Sequence, residues 1–117
     1  MTPIQRLPAN ARMSAAVIVN GIVYLKGVTP SPAAEPTIES QTADVLTQID
    51  QILQKAGTSR ERLVAVSIWL SDIGDMSGLN QVYDQWVIPG CQPVRACVQS
   101  VLAQPHYKVE IQVSAAL

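Results

Sequence analysis

Four side chains near the C-terminal end have the residue types of a small-molecule site: Arg95, Cys97, Glu110 and Gln112. Arginine binds a carboxylate through two parallel hydrogen bonds and stays charged at physiological pH. A glutamate nearby can hold a water molecule and move a proton. Together these side chains are more typical of the beginnings of a site than of a solvated surface.

The two segments that carry them are predicted to be strands of one hairpin. Residues 93–99 and 107–113 both alternate apolar and polar positions with a period of two. The linker 102–106 is short enough to join them as neighbours. If the two strands pair in the register that places odd residues opposite even ones, Arg95, Cys97, Glu110 and Gln112 lie on the same face of the sheet.

Each of these residues also has a purely structural interpretation. Arg95 and Glu110 would form an ion pair across the hairpin or across a subunit interface, since ion-pair networks imitate sites. Cys97 is interpreted as a buried small residue rather than a nucleophile. His106 is a candidate base for that thiol, but a histidine next to Pro105 in a loop is typically just exposed.

The composition indicates one domain with little surface charge. Of 117 residues, 48% are apolar and 15% charged, against about a quarter charged in ordinary domains. The low charge predicts that another subunit covers part of the surface. A net charge of −1 with no basic run argues against a nucleic-acid partner, and no apolar run is long enough to span a membrane.

The cysteines and the N-terminal apolar run are predicted to be structural. Cys91 and Cys97 match no metal-binding pattern, so we expect buried thiols in a reducing compartment. Residues 13–25 superficially resemble a secretory leader, but Asn20 and Gly21 interrupt the run with a type I′ turn sequence. The sequence therefore predicts a soluble, cytoplasmic protein.

The remaining elements follow from periodicity and from capping residues. Strands at 15–19 and 22–26 flank the turn, and a helix follows from Thr37, its N-cap, to Gly57 at its C-terminal end. Its apolar stripe consists of Ile38, Val45, Ile49, Ile52, Leu53 and Ala56.

The next two elements complete the predicted order. Residues 62–71 are apolar on both faces, which is typical of a strand in mid-sheet. Val64, Val66, Ile68 and Leu70 form one side of it, and Leu63, Ala65, Ser67 and Trp69 the other. Asp75 is then the predicted cap of a second helix, which ends before Pro89 and Gly90 and carries its apolar residues on one face.

This order predicts an α+β fold, a mixed β-sheet with two helices on one face. The other face is expected to carry Leu63, Ala65, Trp69, Arg95, Cys97 and Glu110. It is too apolar in parts to face water alone, so we expect burial against identical copies in a closed oligomer.

Four segments of the chain resemble the RidA/YjgF family of enamine/imine deaminases, and the pattern is most similar to the YoaB-like branch. They are residues 93–98, residues 107–111, residues 80–83 on the second helix, and residues 20–27 of the first hairpin. The resemblance covers nearly the whole chain, and the combination of segments is more specific than any one of them.

The resemblance implies one RidA-like domain over residues 1–117, with a chorismate-mutase-like fold and a homotrimeric barrel that has three intersubunit clefts. It implies a 2-iminobutanoate/2-iminopropanoate deaminase-like hydrolase, which converts 2-aminoacrylate-type imino acids to 2-keto acids and ammonia without a cofactor or metal. By match to the family, Arg95 would hold the substrate carboxylate and Glu110 would position the water. Asn80, Cys97 and the Gly27 backbone would line the cleft.

Two positions at the border of this cleft depart from the family pattern. Met13 stands where the family has a tyrosine, and Lys26 stands where it has a serine before the glycine. Lys26 is either a solvated strand end or a second cation of the cleft. The departures keep open an alternative, a non-catalytic trimeric protein of the same fold that binds small carboxylates. An RNA-directed activity, attributed to some relatives, has poor support because there is no basic stripe.

Overall fold

The computed structural model describes residues 1–117 as a six-stranded sheet and two α-helices. In chain order the elements are β1 (Ile4–Pro8), β2 (Ser14–Val19), β3 (Ile22–Leu25), α1 (Ile38–Ala56), β4 (Leu63–Leu70), α2 (Met76–Trp86), β5 (Val94–Gln99) and β6 (Val109–Ala116). Short 3-10 helices at Arg60–Arg62 and Ile73–Asp75 precede β4 and α2.

Strand β1 has no counterpart among the predicted elements. It pairs antiparallel with β2 at the edge of the sheet. Four of its five residues are exposed, and Pro3 and Pro8 lie at its two ends. A short strand that buries neither face shows no alternation of apolar and polar residues, so the sequence carries little signal for it.

The predicted hairpin at Asn20 and Gly21 is confirmed. Both residues have positive φ, 52° and 74°, as a type I′ turn requires. Val19 and Ile22 form the pair that closes the turn, and the β2–β3 ladder continues from there to Ala16 and Leu25.

Helix α1 begins and ends as predicted. The Thr37 side chain accepts a hydrogen bond from the Ser40 backbone N–H at 3.1 Å, and Gly57 adopts the left-handed conformation at φ 89°. Its predicted apolar stripe is buried against the sheet, apart from the half-buried Ile52.

The cap predicted for α2 is wrong. The Asp75 side chain makes no capping hydrogen bond, whereas Asp72 accepts one from the Gly74 N–H at 2.9 Å. A 3-10 helix precedes α2 directly, so the chain is already turning when it reaches Asp75 and the free N–H groups lie one turn earlier. The apolar face of α2 is as expected, with Leu79, Tyr83 and Trp86 buried.

The predicted C-terminal hairpin is also wrong, because β5 and β6 are not neighbours. The strand order is β1-β2-β3-β6-β4-β5, with β4 antiparallel to β6 and parallel to β5. Strand β6 buries Val109, Ile111 and Val113 completely or nearly so, and it takes a central position. Strand β5 is mostly exposed and forms an edge of the sheet.

The two faces of the sheet differ in what covers them. Both helices pack on one face, which we call the helix face, and the hydrophobic core lies between the helices and this face. The α+β architecture with two helices on one face is therefore confirmed. The opposite face, which we call the open face, carries Tyr24, Ala65, Trp69, Val94 and Val98, all at least partly exposed.

A bulge corrects the predicted alternation at the start of β4. Leu63 pairs with Ala115 and Ala65 with Ser114, so Val64 is an extra residue. As a result Leu63 is buried on the helix face and Val64 is 44% exposed, so the two residues have exchanged the sides predicted for them. From Ala65 onward the predicted alternation is correct.

No helix of the chain has both the length and the apolar character needed to cross a membrane.

Candidate functional site

Arg95 is held on the helix face by two side chains of α2. Its Nη2 donates a hydrogen bond to Asn80 Oδ1 at 2.7 Å, and its Cζ lies 4.7 Å from the centre of the Tyr83 ring. Neither contact neutralises the guanidinium, and the chain's one ion pair is Arg60 with Asp50, at 4.0 Å. Arg95 is therefore an exposed, oriented cation without an acidic partner.

The sequence places Tyr83 on the apolar face of α2 and in the family-like segment 80–83, but predicts no role for it in the site. In the structure its ring is the surface on which Arg95 lies. Burial raises the pKa of the Tyr83 hydroxyl, with Arg95 opposing the effect and Asp84 adding to it. The signal in the sequence was the spacing of Asn80 and Tyr83, which are one helical turn apart and hence neighbours on one face.

The sheet register separates the four polar side chains that were predicted to share a face. Arg95 is level with Val66, and Cys97 with Ile68, so both lie on the helix face. Glu110 is level with Trp69 and Gln112 with Ser67, so both lie on the open face. The prediction is wrong because it assumed a β5–β6 hairpin, whereas β4 lies between the two strands and sets the orientation of each.

Cys97 is half-buried against the core, and it makes no hydrogen bond with His106. The exposed His106 ring instead packs against Tyr107, with 4.7 Å between ring centres. The structure therefore does not pair His106 with the thiol, and it places Cys97 as a partly buried residue packed against the core.

Glu110 lies directly against the backbone of Gly27. A Cβ atom at position 27 would overlap Glu110 Oε2, so only glycine leaves room for the carboxylate there. Glu110 is half-buried and has no basic partner within the chain. The structure therefore brings these two predicted site residues together, and it places Arg95 on the opposite face of the sheet.

Lys26 and Gly27 form a β-bulge beside this carboxylate. Tyr24 pairs with Ser114 and Val28 with Ile111, so three residues on one strand face two on the other. Gln112 Nε2 donates at 3.0 Å to the Leu25 carbonyl, which satisfies an acceptor at the bulge.

Met13 lies in the turn between β1 and β2 and is 46% exposed. The Asn10 side chain shapes this turn by accepting hydrogen bonds from the backbone N–H groups of Arg12 and Met13, at 2.8 and 3.1 Å. Because the Lys26 N–H donates to the Ala15 carbonyl at 3.0 Å, Met13 and Lys26 lie toward the same end of the sheet.

The segment after Gly27 is fastened to α1 by polar contacts that the sequence pattern did not reveal. Asp44 accepts hydrogen bonds from the Ser31 N–H at 2.8 Å, from the Ser31 hydroxyl at 2.6 Å and from Gln48 Nε2 at 2.8 Å. Partial burial raises the pKa of Asp44, but these hydrogen bonds outweigh it and hold the pKa below 3.8, its ordinary value.

A buried glutamine fastens the start of β6 in the same way. Gln41 is 3% exposed; its Nε2 donates to the His106 carbonyl at 2.9 Å, and its Oε1 accepts from the Lys108 N–H at 2.8 Å. Both polar ends of the amide are thereby satisfied by backbone that leads to Glu110.

The open face has a shallow depression of about 230 Å³ next to the bulge. Its walls include Tyr24, Ala65, Ser67, Gln112 and Ser114. No group of three or more His, Cys, Asp or Glu side chains in the chain is arranged to hold a metal ion.

The family model described as endoribonuclease L-PSP matches residues 3–117. The RutC family protein YoaB of Escherichia coli is 40% identical over 114 residues, which cover 97% of this chain and 98% of that protein. A RutC family protein of Haemophilus influenzae is 39% identical over 112 residues, 96% of this chain and 97% of that one.

Solved structures show the same fold. NMB1025 of Neisseria meningitidis, a member of the YjgF protein family, superposes with a TM-score of 0.93 at 39% identity, over 97% of this chain and 94% of that one. Rv2704 of Mycobacterium tuberculosis, from the YjgF/YER057c/UK114 family, gives a TM-score of 0.89 at 25% identity, over 98% of this chain and all of that one. The chain belongs to the RidA/YjgF family, in its YoaB-like branch, and has the chorismate-mutase-like fold of that family.

Proposed function

We propose that the protein is a cytoplasmic hydrolase which deaminates 2-aminoacrylate-type imino acids to 2-keto acids and ammonia. The observation that carries the proposal is the Arg95 guanidinium, which is oriented by Asn80 and Tyr83, exposed, and not paired with an acid. Such a cation suits a substrate carboxylate, because the planar guanidinium binds a carboxylate through two parallel hydrogen bonds and so fixes its orientation.

Glu110 is the proposed group that handles water and protons. One water molecule adds its oxygen to the C=N carbon of the imino acid, and Glu110 takes a proton from that water. The nitrogen gains protons and leaves as ammonia when the C–N bond breaks, which yields the 2-keto acid. The balance requires only imino acid and water, so we propose no cofactor or metal.

We propose that the site is assembled between two copies of the chain. Arg95 and Glu110 lie on opposite faces of the sheet, which argues against a shared substrate within one copy. Strand β5 is an edge strand, and a neighbour that packs this edge on the open face of the first copy would bring its Arg95 toward Glu110. The partly apolar open face, with Val94 at 72% and Val98 at 50% exposure, favours such a contact. The homotrimer implied by the family resemblance has this head-to-tail arrangement.

The alternative is a trimeric protein that binds a small carboxylate without converting it. Met13 and Lys26 favour it, because both depart from the family pattern near the Gly27 end of the proposed cleft. A catalyst must bind the transition state more tightly than the ground state. Tight calorimetric binding of 2-keto acids, without turnover of any imino acid, would support this second function.

A coupled assay tests the proposed reaction. A pyridoxal-phosphate dehydratase generates the imino acid in situ, and release of the keto acid is followed with and without the protein. We expect acceleration by the wild type, a loss of at least about 100-fold in Arg95→Ala, and a similar loss in Glu110→Gln. The matched control is Arg62→Ala, which removes an exposed arginine whose side chain donates hydrogen bonds to the C-terminal backbone. Full activity in Arg95→Ala would refute the proposal.

A mixing experiment tests where the two halves of the site come from. Arg95→Ala and Glu110→Gln chains, each inactive alone, are refolded together in equal amounts. If one copy supplies Arg95 and its neighbour Glu110, random head-to-tail rings regain about one quarter of the wild-type sites. No recovery, in rings shown by mass spectrometry to be mixed, would place both residues on one copy.

A further inference from the structure

The bulge at Lys26 and Gly27 places an uncommitted cation beside the proposed acid–base group. In a β-bulge, the two residues of the bulged strand that lie opposite one residue of the partner strand point to the same side of the sheet. The Cβ direction of Gly27 runs into Glu110 Oε2, which lies on the open face, so Lys26 is directed to that face as well. Leu25 is buried on the helix face, and successive side chains of a strand alternate between the faces, so this argument also directs Lys26 to the open face.

The Lys26 ammonium is free to bind an anion. The residue as a whole is half-buried, and its ammonium forms no ion pair with Glu110 or with any other carboxylate of the chain. Because we propose that a neighbouring copy covers the open face, an ammonium there needs a counter-charge from a ligand or from that copy. The bulge therefore brings together the Lys26 cation, the Glu110 carboxylate and the backbone of Gly27, which carries no side chain.

We propose that Lys26 binds a second carboxylate of the substrate, so that the protein prefers dicarboxylic imino acids of four or five carbons. The inference rests on the proposed function. Arg95 would hold the carboxylate next to the C=N carbon, Glu110 would lie near that carbon, and Lys26 would take the distal carboxylate. The reaction is the same hydrolysis, in which the oxygen atom of water replaces the imino nitrogen and that nitrogen leaves as ammonia.

The first test compares substrates. Iminosuccinate and 2-iminoglutarate are generated by flavin oxidases from aspartate and glutamate, and 2-iminobutanoate by a dehydratase. We expect kcat/KM of the wild type to favour the dicarboxylic imino acids. In Lys26→Met the ratio of kcat/KM for the dicarboxylic imino acids to kcat/KM for 2-iminobutanoate should fall about 10- to 100-fold, the effect of losing one charge-assisted hydrogen bond. Lys26→Arg should restore most of the preference. The matched control is Lys55→Met, which removes an exposed lysine in the last turn of α1.

The second test does not depend on catalysis. Calorimetry measures binding of 2-oxoglutarate and of 2-oxobutanoate to the wild type and to Lys26→Met. We expect the five-carbon diacid to bind at least about tenfold more tightly, and the difference to vanish in the variant. Equal binding of both ligands, or a diacid preference that survives in Lys26→Met, would overturn the inference whether or not any imino acid is hydrolysed. Diacid binding without hydrolysis would instead refute the proposed reaction and leave the Lys26 assignment standing.

Discussion

The carboxylate of Glu110 occupies the space that a side chain at position 27 would fill. Gly27→Ala must therefore displace the end of a flexible side chain and leave the backbone in place. We expect the free energy of unfolding to fall by about 1 kcal/mol or less, while kcat for imino-acid hydrolysis falls at least about tenfold because Glu110 is misplaced. Urea unfolding and the coupled assay measure the two effects.

The control for this prediction is Gly90→Ala. Gly90 has φ 83° and no atom within 4 Å of an added Cβ. The backbone strain should cost about 1 kcal/mol without any loss of kcat per folded molecule. If the two variants lose activity equally, Glu110 is not the group that Gly27 makes room for.

Asn80→Asp should weaken substrate binding by giving Arg95 a carboxylate of the protein's own. The Asn80 oxygen already lies 2.7 Å from Arg95 Nη2, so the substituted side chain would compete with the substrate carboxylate. We expect KM to rise about tenfold with a smaller change in kcat. Gln81→Glu adds the same charge at the next, exposed position of α2 and should leave KM unchanged. Unaltered KM in Asn80→Asp would show that Arg95 does not bind the substrate.

Asp44→Asn should make stability less dependent on pH in the acid range. The pKa of Asp44 is lowered in the folded chain, so its ionised form is stabilised there. This contribution is fully present above 3.8, the ordinary pKa, and is lost as the pH falls through the lower folded pKa. We expect the variant to be about 1 kcal/mol less stable than the wild type at pH 7, and the difference to shrink below about pH 4.

Denaturant unfolding between pH 3 and pH 7 measures this difference. Glu35→Gln is the matched control, because Glu35 lies exposed in the same segment after Gly27 and takes part in no side-chain hydrogen bond. A constant difference across the pH range would contradict the role given to the Asp44 carboxylate.

Gln41→Leu should loosen the start of β6. The substitution leaves the His106 carbonyl and the Lys108 N–H without their partner, at a cost of about 2 kcal/mol. Hydrogen exchange of the Lys108 amide should accelerate more than that of amides in β4. Gln51→Leu, at an exposed position of the same helix, should change neither quantity. Unchanged protection of the Lys108 amide would show that the hydrogen bond is not formed in solution.

The sequence predicted the elements whose signal is local. The turn at Asn20 and Gly21, the caps of α1 and its apolar stripe depend on residues a few positions apart. The residues of the candidate site were likewise named from the sequence, and the spacing of Asn80 and Tyr83 places both on the face of α2 that Arg95 contacts.

What could not be predicted depends on pairing over long distances. Arg95 and Glu110 are 15 positions apart, so a hairpin of β5 and β6 is the simplest prediction. The order of the strands is set instead by which of them has the more apolar face to bury. The residues of β6 on the helix face are almost all apolar and buried, which favours a central position for this strand. The connection from β5 therefore passes β4, and β6 pairs on the other side of it. The single-residue bulges at Val64 and at Lys26 also cannot be predicted from the alternation of apolar and polar residues, because a bulge is defined by the register with the partner strand.

The bulge at Lys26 and Gly27 also separates two kinds of evolutionary constraint. Leu25 and Val28, on either side of it, are both buried in the core and fix the strand. The residue at position 26 contributes its side chain to the other face, so its identity can change at little cost to folding. Under the proposed function, selection can therefore adjust charge and size at this one position, and with them the range of imino acids that a lineage hydrolyses, on an unchanged scaffold.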